Sequence, residues 1–276
     1  MTVTKQHHST TNGNDYELSI WLPDTYDESS DVLLEAIYVL DANLFFDLLA
    51  AIVQYLSLIV GFPKTIVVGI GYPNCQMFGR NFGKALERFQ QRRHQDFTPV
   101  RDQALEAATS SIYWGDQRVV SDSGHAAEFW ACLEKEIIPQ MDKDYRIAEN
   151  GRTLIGHSLG GTFALLSLFH RPSLFSKYIV GSPSFGCCNG LVFDQERDYS
   201  TKYKTLDAEV FVGMDDGLEF SAEPFHCTVS ELQRFSAALL SRNYRGLKYA
   251  NRIYREQQHL SVAPLILAEG LKAIFL

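Results

Sequence analysis

The sequence predicts an α/β protein built on a doubly wound, mostly parallel sheet, and three observations carry that reading. Leu33 to Leu40 and Thr65 to Gly71 are short continuous apolar runs rich in Val and Ile, the pattern of strands covered on both faces. Between them lies the apolar stretch Phe45 to Phe62, where a βαβ unit carries its crossover helix. From His125 onward, strand-like and helix-like segments alternate to the end of the chain.

The elements follow in order. The polar opening MTVTKQHHSTTNGND lacks the basic-then-apolar order of a secretory signal and reads as a frayed start. Leu18, Ile20 and Leu22 alternate with polar neighbours, as in a half-buried strand. Asp47 and Gln54 interrupt the Phe45 to Phe62 stretch and Pro63 closes it, so it reads as a buried helix and not a membrane span. Residues 72 to about 122 mix Pro, Gly, Gln and Arg with scattered aromatics and weak periodicity, and read as a lid-like insertion over one end of the sheet. A helix through Ile138 comes next, then a strand Arg152 to Ile155, a helix Gly160 to His170 and a strand Tyr178 to Gly181. The strand Glu209 to Gly213, helix Thr228 to Arg242, strand Tyr249 to Tyr254 and helix Ser261 to Phe275 complete the chain. In such a sheet the active site lies beyond the carboxyl ends of the strands.

The bulk composition sets bounds. With 276 residues, 46% of them hydrophobic, the chain fits one α/β domain over 1–276. A formal charge of −8 argues against nucleic acid or an anionic membrane surface as partner. Cys75, Cys132, Cys187, Cys188 and Cys227 form an odd set without a C-x-x-C pair, which suggests neither a disulfide framework nor a zinc site. A reducing, cytoplasmic setting is the expectation.

Chemistry enters with Gly156-His157-Ser158-Leu159-Gly160-Gly161. A serine hydroxyl needs a base to take its proton and a bend that exposes it. G-x-S-x-G supplies the bend, because its glycines let a strand turn sharply into a helix. A chain of this length would contain the bare pattern by accident about one time in ten. Here it follows the strand-like Thr153-Leu154-Ile155 and opens a small-residue helix, the context the motif requires. Ser158 is therefore the candidate nucleophile.

The base should be a downstream histidine. His170 lies at the far end of the same helix, roughly 18 Å along it at 1.5 Å per residue, and cannot reach the hydroxyl. His226 precedes a helix and reads as solvated or capping. His259 follows a strand through a short polar loop and is the candidate base. The orienting acid should follow the strand Val210 to Gly213, where Asp215 and Asp216 are adjacent and Glu219 is a weaker third choice. One oxyanion donor should be the backbone amide of Leu159, and a second should come from the loop Asp41-Ala42-Asn43.

These residues resemble the esterase family of the α/β-hydrolase superfamily that includes esterase D, the enterobactin-type siderophore esterases and, more distantly, the mycolyltransferases. The matches run through Tyr38 to Asn43, Val67 to Ile70, Asp96 to Pro99, Phe129 to Ile138, Gly156 to Gly161, Phe175 to Ser184, Val212 to Asp216 and His259, which covers nearly the whole chain. The resemblance implies an α/β-hydrolase fold and hydrolysis of a small-molecule carboxylic ester, or of a lactone, with no metal and no organic cofactor. It places the acid on Asp216 and the second oxyanion amide on Asn43. Ala42 stands where these relatives usually carry glycine. Phe185-Gly186-Cys187-Cys188 stands where siderophore-esterase-like members carry a pair of tryptophans, so the siderophore substrate does not transfer.

Two other readings compete. An acyltransferase or thioesterase would use the same acyl-enzyme, and a non-catalytic binding protein would not need the Ser, Asp and His set. Within the insertion, Arg80, Arg88, Arg92 and Arg93 read either as a solvated face or as cations for an anionic substrate, and Tyr113 and Trp114 as lid packing or substrate contacts.

Overall fold

The computed structural model describes residues 1–276 apart from Glu28, Ser30, 79–80 and 116–121. Its strands are β1 (Thr2–His8), β2 (Asp15–Trp21), β3 (Leu34–Val39), β4 (Thr65–Gly71), β5 (Ile147–His157), β6 (Lys177–Gly181), β7 (Thr205–Met214) and β8 (Arg245–Ile253). The helices are α1 (Ala42–Leu56), α2 (Phe82–Phe97), α3 (Gln103–Trp114), α4 (Ala126–Cys132), α5 (Ile138–Asp144), α6 (Leu159–His170), α7 (Cys187–Lys202), α8 (Val229–Arg242) and α9 (Ala263–Phe275). A π turn over Leu133–Ile137 joins α4 to α5.

The strands form one sheet in the order β1-β2-β4-β3-β5-β6-β7-β8, parallel from β4 to β8 and antiparallel at the β1-β2 and β2-β4 pairings. Because strand side chains alternate between faces, each apolar run feeds two cores. Ile37, Val39, Val67, Ile155, Ile179 and Phe211 pack with the buried residues of α1 and α9 on one face. Tyr38, Val68, Leu154, Tyr178, Val180 and Val212 belong to the larger cluster on the other, with Phe129, Trp130 and Phe163. This is the doubly wound sheet of an α/β-hydrolase fold. Helix α1 connects the parallel neighbours β3 and β4, which accounts for the Phe45 to Phe62 stretch. Among the described residues no helix is long and apolar enough to cross a membrane.

The structure corrects the frayed start. Residues 2–8 form β1, paired antiparallel to β2 from Thr2 opposite Trp21 to His8 opposite Asp15. The Ser9 hydroxyl accepts the amides of Thr11 and Asn12 in the turn, and Gly13 takes φ 71°. As an edge strand whose residues are exposed or half-buried, β1 carries no apolar signal of its own. Its ladder to β2 holds it.

Segment 72–122 is more regular than its periodicity predicts. Helix α2 turns Gln90, His94 and Asp96 inward beside Leu86, Phe89 and Phe97, so the buried face is part polar and the apolar period is diluted.

Candidate active site

The site lies beyond the carboxyl ends of β5, β6 and β7. Ser158 follows β5 immediately and adopts φ 58°, ψ −124°, a conformation sparsely populated by non-glycine residues. Its amide donates to Gly181 O at 2.8 Å, and its carbonyl accepts the Thr162 amide at 3.0 Å, which starts α6. The strained backbone persists because the neighbouring glycines leave room. A Cβ at Gly156 would lie 2.1 Å from Gly160 O, and one at Gly160 would lie 3.2 Å from Asp41 Oδ2.

Ser158, Leu159 and His259 line a cavity of about 420 Å³ whose walls come from α2, α3, the residue pair Leu44-Phe45 and the loop after β7. Leu159 is the first residue of α6, so its amide belongs to the first turn, where helix amides have no acceptor within the helix. His259 is buried and its Nδ1–H donates to Asp215 Oδ2 at 3.4 Å.

The carboxylate that meets the His259 ring is thus Asp215 and not Asp216, where the resemblance placed the acid. Asp215 is 2% exposed and follows the last residue of β7; the Ser182 hydroxyl donates to its Oδ2 at 2.7 Å and the Gly217 amide to its Oδ1 at 2.7 Å. Burial alone would raise this carboxyl, but the hydrogen bonds from His259, Ser182 and Gly217 outweigh it and hold Asp215 below the usual range. Asp216, one residue on, is only half-buried and its Oδ1 accepts the Leu218 amide at 3.4 Å. Consecutive residues leaving a strand point to opposite sides, so only one of the pair can face His259.

Three neighbours complete the surroundings of His259. The Glu219 carboxylate accepts the His259 amide at 2.9 Å, so the weaker third acid holds the loop and not the ring. His157 Nε2–H donates to His259 O at 2.8 Å, and the two rings lie 4.8 Å apart. Burial, with the nearby His259 ring, pushes His157 down to about 3, so it is neutral. Phe220 meets the His259 ring edge-on at 4.8 Å. Sequence reasoning missed Ser182 and His157 as site residues. Ser182 follows β6 at the same end of the sheet, a position that signals candidacy, whereas His157 fills the free position of the motif and gives no signal.

Asn43 stands apart from the cavity wall. Its side chain is tied to the end of β4, with Nδ2 donating to Tyr72 O at 2.9 Å and Oδ1 accepting Tyr72 N at 2.8 Å, and it borders a separate groove with Gly71 and Cys75. Its amide lies in the first turn of α1, behind Asp41. The left-handed conformation of this loop falls on Asp41, φ 52°, which leaves Ala42 helical. Asp41 is fully buried and receives Arg93 Nε at 3.2 Å and Nη2 at 2.8 Å. Burial raises the Asp41 carboxyl and Arg93 opposes that rise.

Of the other sequence candidates, His226 forms a 3.6 Å pair with Glu223, and the His170 ring packs tilted against Trp130 with centroids 4.3 Å apart. Arg80 lies outside the described residues. Arg88 is exposed, and Arg92 lies 5.6 Å over the rings of both Tyr16 and Tyr72. Tyr113 is on the cavity wall. Trp114 packs against the larger core, its ring tilted against Tyr113 with centroids 5.7 Å apart. All five cysteines are buried and free.

Comparison with known proteins identifies the family. The family model described as "Putative esterase" matches residues 9–215. The chain is 26% identical over 242 residues to the ferri-bacillibactin esterase BesA of Bacillus subtilis, covering 86% of this chain and 77% of that protein. It is 30% identical over 190 residues to the siderophore enterobactin esterase of Emericella nidulans, covering 67% of this chain and 58% of that one. Among solved structures, the BES protein from Bacillus cereus superposes with a TM-score of 0.79 at 28% identity, covering 100% of this chain and 96% of the other. With three quarters of its length matched and the same fold shared end to end, the chain belongs to the esterase family of the α/β-hydrolase superfamily.

Proposed function

We propose that the protein is a serine hydrolase that cleaves a carboxylic ester through an acyl-enzyme on Ser158. The observation that carries this reading is the placement of Ser158 on a positive-φ bend, on one cavity wall with His259, with Asp215 bonded to Nδ1 of the imidazole. That relatives are named as esterases of siderophores supports the reaction class.

In this reading His259 Nε2 takes the proton of Ser158 Oγ as the oxygen attacks the ester carbonyl, and Asp215 stabilises the imidazolium that forms. The Leu159 amide donates to the developing oxyanion. The second donor is the Asn43 amide, which lies in the first turn of α1, next to Leu44 on the cavity wall. Each preorganised donor is worth about 3 kcal/mol in the transition state. The alcohol leaves with the proton from His259, and water activated by the same ring then releases the acid.

The test is Ser158→Ala. Ester hydrolysis is expected to vanish while circular dichroism and the thermal midpoint stay at their wild-type values, and a fluorophosphonate is expected to label Ser158 of the native protein. Wild-type turnover by the variant would overturn the assignment. Product analysis with an added alcohol separates hydrolysis from acyl transfer.

A further inference from the structure

We infer that the ester turned over at Ser158 carries an uncharged, apolar acyl group, selected by the wall that α2, α3 and the loop after β7 build over the nucleophile. This rests on the reading of Ser158 as the nucleophile. At about 420 Å³ the cavity falls in the lower part of the roughly 300–1,000 Å³ range of small-molecule sites. Leu86 and Phe89 of α2, Leu105 of α3, and Phe220 and Phe225 after β7 face it from several sides. The apolar character continues to the opening, where Phe78, Leu260 and Phe82 also line the cavity yet are 88%, 66% and 48% exposed. Large apolar side chains held in water around one opening mark a binding surface.

Arg93, Glu219 and His94 on the same wall each have a protein partner. Arg93 gives two of its donors to the fully buried carboxylate of Asp41, so toward a ligand the pair is close to neutral. Glu219 accepts the His259 amide with one oxygen and is exposed, a carboxylate that repels an anionic group. His94 shares a hydrogen bond with Thr109 at 3.2 Å, and burial pushes it down to about 3, leaving it uncharged. Among the described residues, no other arginine or lysine lines the cavity; Arg92 is spread over Tyr16 and Tyr72 and gives Nη1 to Gln95. A carboxylate entering here would lose its hydration with no free cation among the described residues of the wall to replace it. Each methylene laid on this wall gains a factor of about four.

The experiment measures kcat/KM of the purified protein on p-nitrophenyl acetate, butyrate, hexanoate and hemiadipate, the last a six-carbon chain ending in a carboxylate. The expected result is a rise of about tenfold or more from acetate to hexanoate, with hexanoate preferred over hemiadipate by about a hundredfold. Leu260→Lys combined with Ile112→Lys, both at exposed positions of the wall, is expected to narrow that preference at least about tenfold. Equal or faster cleavage of hemiadipate, or rates independent of chain length, would overturn the inference. Fluorophosphonate labelling of Ser158 without cleavage of any of the four esters would overturn it too. Neither labelling nor cleavage would instead count against the hydrolase reading itself.

Discussion

Asp215 Oδ2 lies 3.4 Å from His259 Nδ1 and also accepts the Ser182 hydroxyl at 2.7 Å, so a single carboxylate oxygen joins the ends of β6 and β7 to the loop before α9. Its neighbour Asp216 makes a turn contact to Leu218.

The two aspartates should therefore separate kinetically. Asp215→Asn is expected to lower kcat by about 10³–10⁴, as loss of an orienting carboxylate does in serine hydrolases. Asp216→Asn is expected to stay within about threefold of wild type. Steady-state rates of the two variants on one ester decide it, and a larger loss at Asp216 would return the acid to that position. Ser182→Ala, which removes one donor to the Asp215 carboxylate, is expected to cost kcat about tenfold with little change in KM.

His157 couples the motif to the base loop, since its Nε2–H holds the carbonyl of His259. His157→Leu leaves that buried carbonyl without its donor and is expected to lower kcat about tenfold or more at nearly constant KM. His157→Gln, whose side-chain amide can replace the Nε2 donor, is expected to recover most of the loss. If both variants fell equally, the ring contact and not the hydrogen bond would carry the effect.

Gly156→Ala tests the tightness of the elbow. The added methyl would meet the Gly160 carbonyl at 2.1 Å, backbone against backbone, so strand and helix must part. A destabilisation of at least about 2–3 kcal/mol is expected in urea unfolding, with loss of activity. A variant of wild-type stability would show that the bend has slack.

Asp96 gives a pH prediction. It is buried, with Oδ1 accepting the Tyr16 hydroxyl at 3.1 Å and Oδ2 unpartnered, and burial raises it from 3.8 to about 7 despite Arg92. Between pH about 4 and 7 the folded state therefore holds the proton that the unfolded chain has lost. Stability from this group is full below pH about 4 and declines as pH rises through 7. Asp96→Asn removes that decline, so its stability relative to wild type should improve from pH 5 to pH 8 by on the order of 2 kcal/mol. The buried histidines cancel in that difference. Urea midpoints at the two pH values measure it, and equal differences at both would refute the assignment.

The sequence by itself determined the parts that local chemistry encodes. Apolar runs such as Thr65 to Gly71 specified the central strands, and Gly156-His157-Ser158-Leu159-Gly160 specified a bend with an exposed serine, because burial on both faces and steric room at a turn are properties of neighbouring residues. The tertiary structure decided what depends on segments far apart in the chain. Whether Asp215 or Asp216 meets His259 turns on a one-residue alternation at the end of β7, which spacing left open and the resemblance assigned to Asp216, whereas the fold brings Asp215 to the ring. The ordering of residues 2–8 depends on β2, a ladder with no local apolar mark. From sequence Arg93 reads either as a solvated residue or as a cation for substrate, and its pairing with the buried Asp41, 52 positions away, depends on the fold. In each case the deciding contact joins side chains or strands that only the folded backbone brings into register, where a shift of one residue or a few ångströms changes the partner.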